Sequence, residues 1–75
     1  MKGVGTMEDK QKILDLLLQT LQATRENADL KGLTYKTQNN NEIVICKFES
    51  GFELFVNVTM DSGMAMIRDV LRGLG

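Results

Sequence analysis

Seventy-five residues with nine basic and ten acidic side chains, a net charge of −1, make one domain with a small core, near the size at which dimerisation is a common remedy for marginal stability. That balance excludes a broad positive field for nucleic acid or an anionic membrane. The absence of histidine excludes Ser-His, Cys-His and HExxH chemistry, and a single cysteine excludes an internal disulfide.

Taken in order, residues 1–5 include two glycines and no periodicity, so they read as a flexible leader ahead of a single domain over residues 6–75, with Met1 or Met7 as the natural start. Thr6 then reads as a helix cap, with Glu8 and Asp9 placing negative charge in the first turn. At about 100° per residue, Met7, Ile13, Leu14, Leu17, Leu18, Leu21 and Ala28 form a broad apolar stripe, and Leu16 falls outside it. Asp29-Leu30-Lys31-Gly32 is expected to end this helix, with glycine as terminator.

Residues 33–38 alternate as a half-buried strand, followed by a turn at Asn39-Asn40, a pair that tolerates left-handed backbone. That turn sets Tyr35 opposite Val44 and Leu33 opposite Cys46. Two further strands lie between Glu42 and Thr59, and their register depends on the loop between them. A two-residue turn at Ser50-Gly51 would place Lys47 opposite Leu54. A three-residue loop, Glu49-Ser50-Gly51, pairs Phe48 with Phe52, Cys46 with Leu54 and Val44 with Val56, and sets Lys47 across from Glu53 on the other face. One face of the meander is then wholly apolar, and Cys46 within it is a buried small hydrophobe rather than a reactive thiol. The opposite face carries Ile43, Ile45, Phe55 and Asn57 beside Thr34, Lys36 and Gln38.

After Thr59 the period changes again. Asp61 or Ser62 is expected to cap a second helix, with Met60, Met64, Ile67, Val70, Leu71 and Leu74 facing the core, and Met66, Arg68, Asp69 and Arg72 outside it. The expected fold is α+β: a helix, a three-stranded antiparallel meander and a helix, with both helices packed on one face of the sheet and the other face open.

No constellation for catalysis emerges. Glu42, Glu49, Glu53, Asp61 and Asp69 do not recur at a spacing that converges two of them in a pocket, and neither a metal site nor a cofactor is expected. The leading expectation is a protein-binding surface on the open face, formed by Ile43, Ile45, Phe55, Asn57, Lys47 and Glu53 and used first for self-association as a dimer. The alternative is a phosphate or nucleotide held at the start of the second helix by Ser62, Gly63 and Met64. No apolar run approaches the ~20 residues of a membrane span, and no signal-peptide pattern is present, so the expected compartment is the cytoplasm.

The order of elements resembles the double-stranded-RNA-binding domain. That family presents lysines where this chain has Asp61-Ser62-Gly63-Met64-Ala65, and a Gly-Pro-His turn where it has Asn39-Asn40-Asn41, so the resemblance implies the fold without the RNA contacts. The run Val56-Asn57-Val58-Thr59-Met60-Asp61-Ser62-Gly63-Met64-Ala65-Met66-Ile67-Arg68-Asp69 is similar to small uncharacterised proteins of phages and mobile elements. That resemblance implies a host or rival protein as partner.

Overall fold

A computed structural model describes residues 9–75. The leader, Thr6, Met7 and Glu8 therefore lie outside the described residues. The chain runs α1 (Lys10–Gln22), β1 (Leu30–Gln38), β2 (Asn41–Phe48), β3 (Glu53–Asn57) and α2 (Gly63–Leu74), with the strands in a sheet of order β1-β2-β3. Both helices pack on one face of this antiparallel meander. Between the layers lie Leu14 and Leu21 from α1, Leu30, Leu33, Val44, Cys46 and Val58 from the sheet segment, and Met66 and Val70 from α2.

The expected register is the observed one. Tyr35 faces Val44, Leu33 faces Cys46, Val44 faces Val56, Cys46 faces Leu54, and Lys47 faces Glu53. Asn39 and Asn40 both take positive φ (51° and 67°), the backbone a two-residue hairpin needs to match strand twist. Gly51 does the same in the second loop at φ 95°, where Gly51 N–H donates to Phe48 O and Phe48 N–H donates to Phe52 O. The Phe48 and Phe52 rings meet at 5.7 Å between centroids. Because strand side chains alternate, this register fixes which residues face the helices and which face away.

The helix boundaries differ from expectation. Asp9 caps α1 by accepting from Lys12 N–H at 3.0 Å, and the helix ends at Gln22 rather than near Gly32. Thr24 explains the stop: its hydroxyl donates to Leu21 O at 2.6 Å and its N–H to the same oxygen at 2.9 Å, occupying a carbonyl the next helical turn would need. Ala28 consequently lies in an exposed turn, outside the helical stripe. Leu30 and Gly32 belong to β1, not to a helix terminus. A register shift between Leu30 and Gly32 lets Leu30 and Leu33 point into the same core although the step from one to the other is three positions, which in a regular strand would put them on opposite faces.

Helix α2 is rotated by roughly 60° about its axis from the face its apolar residues suggest. Met66, expected outside, is 0 % exposed, whereas Met60 and Met64, expected in the core, are 90 % and 67 % exposed, and Leu71 is exposed with them. Ser62, not Asp61, is the cap, accepting from Ala65 N–H at 3.2 Å. Gly73 explains the rotation. A Cβ there would sit 3.1 Å from Val56 Cγ2 and 3.7 Å from Leu54 Cδ2, so the bare glycine backbone lies against β3. Gly63 is buried at the other end of the same face. Gly73 lets the end of the helix approach β3 on the face of Met66 and Val70, and Met64 turns outward.

The two edges of the sheet are treated differently. In the Asn39-Asn40 hairpin, Gln38, Lys36 and Thr34 turn their backbone groups toward β2, so those of Leu33 and Tyr35 point to the free edge of β1. Gln11 of α1 covers them with its side-chain amide, donating to Leu33 O at 3.0 Å and accepting from Tyr35 N–H at 2.8 Å. Gln22, at the other end of α1, donates to Leu30 O at 3.0 Å. Two glutamines of one helix thus cover part of the long edge strand.

Candidate functional site

The open sheet face is built by the residues that alternate away from the core. Ile43 and Ile45 on β2 are half-buried, Phe55 on β3 is 61 % exposed, and Thr34, Lys36, Lys47, Glu53 and Asn57 surround them in water. Ile45 and Phe55 are direct cross-strand partners, as are Ile43 and Asn57. Lys47 Nζ lies 3.7 Å from Glu53 Oε2, the opposite-charge pair expected from the register. With both partners exposed, it contributes about 0.2–1 kcal/mol. The face therefore has an apolar centre of two isoleucines and a phenylalanine with a polar rim, the general anatomy of a protein contact surface.

The start of α2 brings together groups that spacing did not associate. Ser62, Gly63 and Met64 form the first turn with Ser62 as cap, Gly63 buried and Met64 in water. Asp61 precedes them, and the Asp69 carboxyl from two turns further along α2 lies against it. Asp61 Oδ2 is buried with no hydrogen-bond donor among the described residues. The Asp69 carboxyl, then burial, then the charges of Asp69 and Glu42 raise the Asp61 pKa, opposed by Lys10. Asp61 and Asp69 meet on the helix flank rather than in a pocket, because Ser62 takes the capping role and leaves the Asp61 carboxyl to turn toward Asp69. Asp69 also pairs with Arg72 at 3.6 Å. An anion approaching this helix end would meet Asp61, Asp69 and Glu42, so the geometry does not favour the phosphate alternative. No group of three or more His, Cys, Asp or Glu among the described residues is arranged to hold a metal ion.

Glu42 is the hub that the sequence did not reveal. Its Oε1 accepts from Lys10 Nζ and from Tyr35 Oη (2.8 Å), and its Oε2 accepts from Met60 N–H (3.0 Å). Its own N–H donates to Thr59 Oγ1 at 3.0 Å, and its carbonyl accepts from Val58 N–H at 2.8 Å. One side chain thereby ties the start of α1 to the sheet and to the turn that launches α2, where Met60 holds a left-handed φ of 64°. The Lys10 hydrogen bond, then those from Met60 N–H and Tyr35, hold the Glu42 pKa down at about 2. The partners come from three separate stretches of chain, so no local motif marks them. Beside this hub, a shallow hollow of about 430 Å³ is lined by Tyr35, Thr37 and Glu42 with the asparagines of the first hairpin. Cys46 is a free, buried thiol, and burial pushes its pKa up to about 11.

The two carboxyls predict opposite pH effects. Glu42 has a folded pKa below its ordinary value of 4.5, so its contribution to stability is fully present above about 4.5 and is lost as pH falls toward about 2. Asp61 has a raised folded pKa, so its ionisation opposes folding and stability is gained as pH falls through that value. Thermal melts should show Glu42→Gln lowering the midpoint at neutral pH and flattening the acid limb. Asp61→Asn should raise the neutral midpoint, with the gain vanishing in acid. A neutral-pH loss for Asp61→Asn would mean the carboxylate is stabilising where it sits.

No known protein family, curated protein or solved structure matches the chain.

Proposed function

We propose that this chain is a small non-catalytic binding module whose contact surface is the open face of the sheet, and that its first partner is a second copy of itself. The observation that carries this reading is Phe55, 61 % exposed in the row it shares with Ile45, on a sheet face that neither helix covers. Apolar area buried there stabilises a complex by roughly 25 cal/mol per Å² before the entropic cost of association. Among the described residues no helix is long and apolar enough to cross a membrane, so a lipid-spanning role for the exposed apolar residues has no support. A module of this kind suits an accessory protein that engages a host or rival protein in the cytoplasm, the role implied by the resemblance to small phage and mobile-element proteins.

Sedimentation equilibrium tests the reading. The native chain should show a mass that rises with concentration through the high micromolar range. Phe55→Lys should remain folded with a cooperative melt, because position 55 points away from the core, and should stay monomeric because a charge would be buried at the contact. A native chain that is strictly monomeric across that range removes self-association. A Phe55→Lys chain that is unfolded would show that the outward face is part of the core.

A further inference from the structure

We propose that two copies join edge to edge through β3, antiparallel about a two-fold axis at Phe55, making one continuous six-stranded sheet. This deepens the self-association proposed above and rests on it, but names a different geometry from a face-to-face stack. It stands on which backbone groups are left open. Phe48 N–H donates to Phe52 O, and Val58 N–H donates to Glu42 O. The alternation between those two anchors turns the backbone groups of Leu54 and Val56 toward β2 as well. Those of Glu53, Phe55 and Asn57 therefore point outward from the sheet, and all three residues are exposed. The β1 edge has the same kind of outward groups, yet Gln11 takes Leu33 O and Tyr35 N–H there and Gln22 takes Leu30 O, so α1 lies along that edge. One edge is partly covered by side chains of α1, and among the described residues the other carries no such cover.

The sequence on β3 selects the register. Centred on Phe55, an antiparallel pair sets Phe55 against Phe55 of the second copy, and Glu53 against Asn57 in both directions. Six backbone hydrogen bonds then close, and no like charges face each other. Centring on Glu53 instead would oppose two carboxylates, and centring on Asn57 would leave both phenylalanines without an aromatic partner. The Phe55-centred register also makes the apolar row continuous across the axis on the open face, Ile45-Phe55-Phe55-Ile45, since Ile45 is already the cross-strand neighbour of Phe55. An isologous contact of this kind needs only one strand to be complementary to itself.

The test separates edge pairing from face stacking. Glu53 begins β3 and its N–H points outward, so Glu53→Pro removes an intermolecular donor without removing a bond to β2, at a strand position where proline is tolerated. By symmetry two of the six bonds are lost. The full-length Glu53→Pro chain should associate at least about tenfold more weakly than the native chain in sedimentation equilibrium, while Glu53→Gln, which keeps the N–H, should associate as the native chain does. Equal association by native and Glu53→Pro chains would overturn edge pairing and leave the open-face module intact. Monomeric behaviour of the native chain would remove both. Hydrogen exchange on the native chain covers the case in which the proline variant does not fold: the Phe55 amide should become protected as concentration rises, and an amide that exchanges equally fast at all concentrations rules the pairing out.

Discussion

Met66→Asp should unfold the domain, whereas Met64→Asp should leave it folded. The two residues are neighbours in the first turns of α2, and an aspartate at either position gains a similar small benefit from the helix dipole, about 0.3–1 kcal/mol. Their surroundings differ. Met66 is 0 % exposed in the cluster with Leu14, Val44, Val58 and Val70, and a carboxylate there finds no basic partner and is too short to reach water. The cost of several kcal/mol is comparable to the whole stability of a domain of this size, about 5–15 kcal/mol. Met64 is 67 % exposed, and the same charge there stays hydrated. Far-ultraviolet circular dichroism with urea melts reads the outcome. Unfolding by Met64→Asp with tolerance of Met66→Asp would restore the face suggested by simple periodicity and remove the role given to Gly73.

Leu14→Ala should cost about 2–5 kcal/mol, because it opens a cavity at a fully buried site in the core cluster between α1 and the sheet. Leu16→Ala, two positions along the same helix at 57 % exposure, should stay within about 0.5 kcal/mol of the native chain. The denaturant midpoint should fall sharply for the first and hardly move for the second, with unchanged slope in both. Equal losses would mean that α1 presents a different face to the sheet.

These pairs also show why the strands were more legible than the helices. A strand has only two faces, so parity together with one loop length settles every position. Lys47 with Glu53 and Phe48 with Phe52 decided the loop, and Asn39-Asn40 and Gly51 then supplied the positive φ that the turns require. A helix has a continuous range of faces. In α2 the apolar residues Met64, Ile67 and Leu71 adjoin Met66 and Val70 around the axis, and hydrophobicity alone favours the centre of the combined arc. What turned the helix was a small residue, Gly73, whose importance lies in what it lacks. The end of α1 was hidden for a related reason. Nothing between Ala23 and Asp29 forbids a helix, and the stop comes from Thr24 folding back on Leu21 O and from Leu30 being drawn into the core.

The open face followed directly from strand parity, since Ile43, Ile45, Phe55 and Asn57 alternate with core residues. The polar features did not. Glu42 gathers Lys10, Tyr35 and Met60 N–H from distant positions, and Asp61 meets Asp69 only because Ser62 caps the helix. The glutamine covering of β1 was equally silent: Gln22 occupies the solvated side of α1, and only the placement of that helix beside the strand gives its amide a backbone carbonyl to reach. Contacts that depend on how elements are placed in space leave little periodic trace along the chain.

Amide chemical shifts of the native chain, followed by nuclear magnetic resonance on serial dilution from the high micromolar range, test most directly whether the open face is where this chain meets a partner. The shifts that move with concentration should cluster at Ile43, Ile45, Glu53, Phe55 and Asn57, with the outward surfaces of α1 and α2 unchanged. Movement centred instead on Met60, Met64 and Leu71, or spectra that do not change on dilution, would contradict self-association through the sheet.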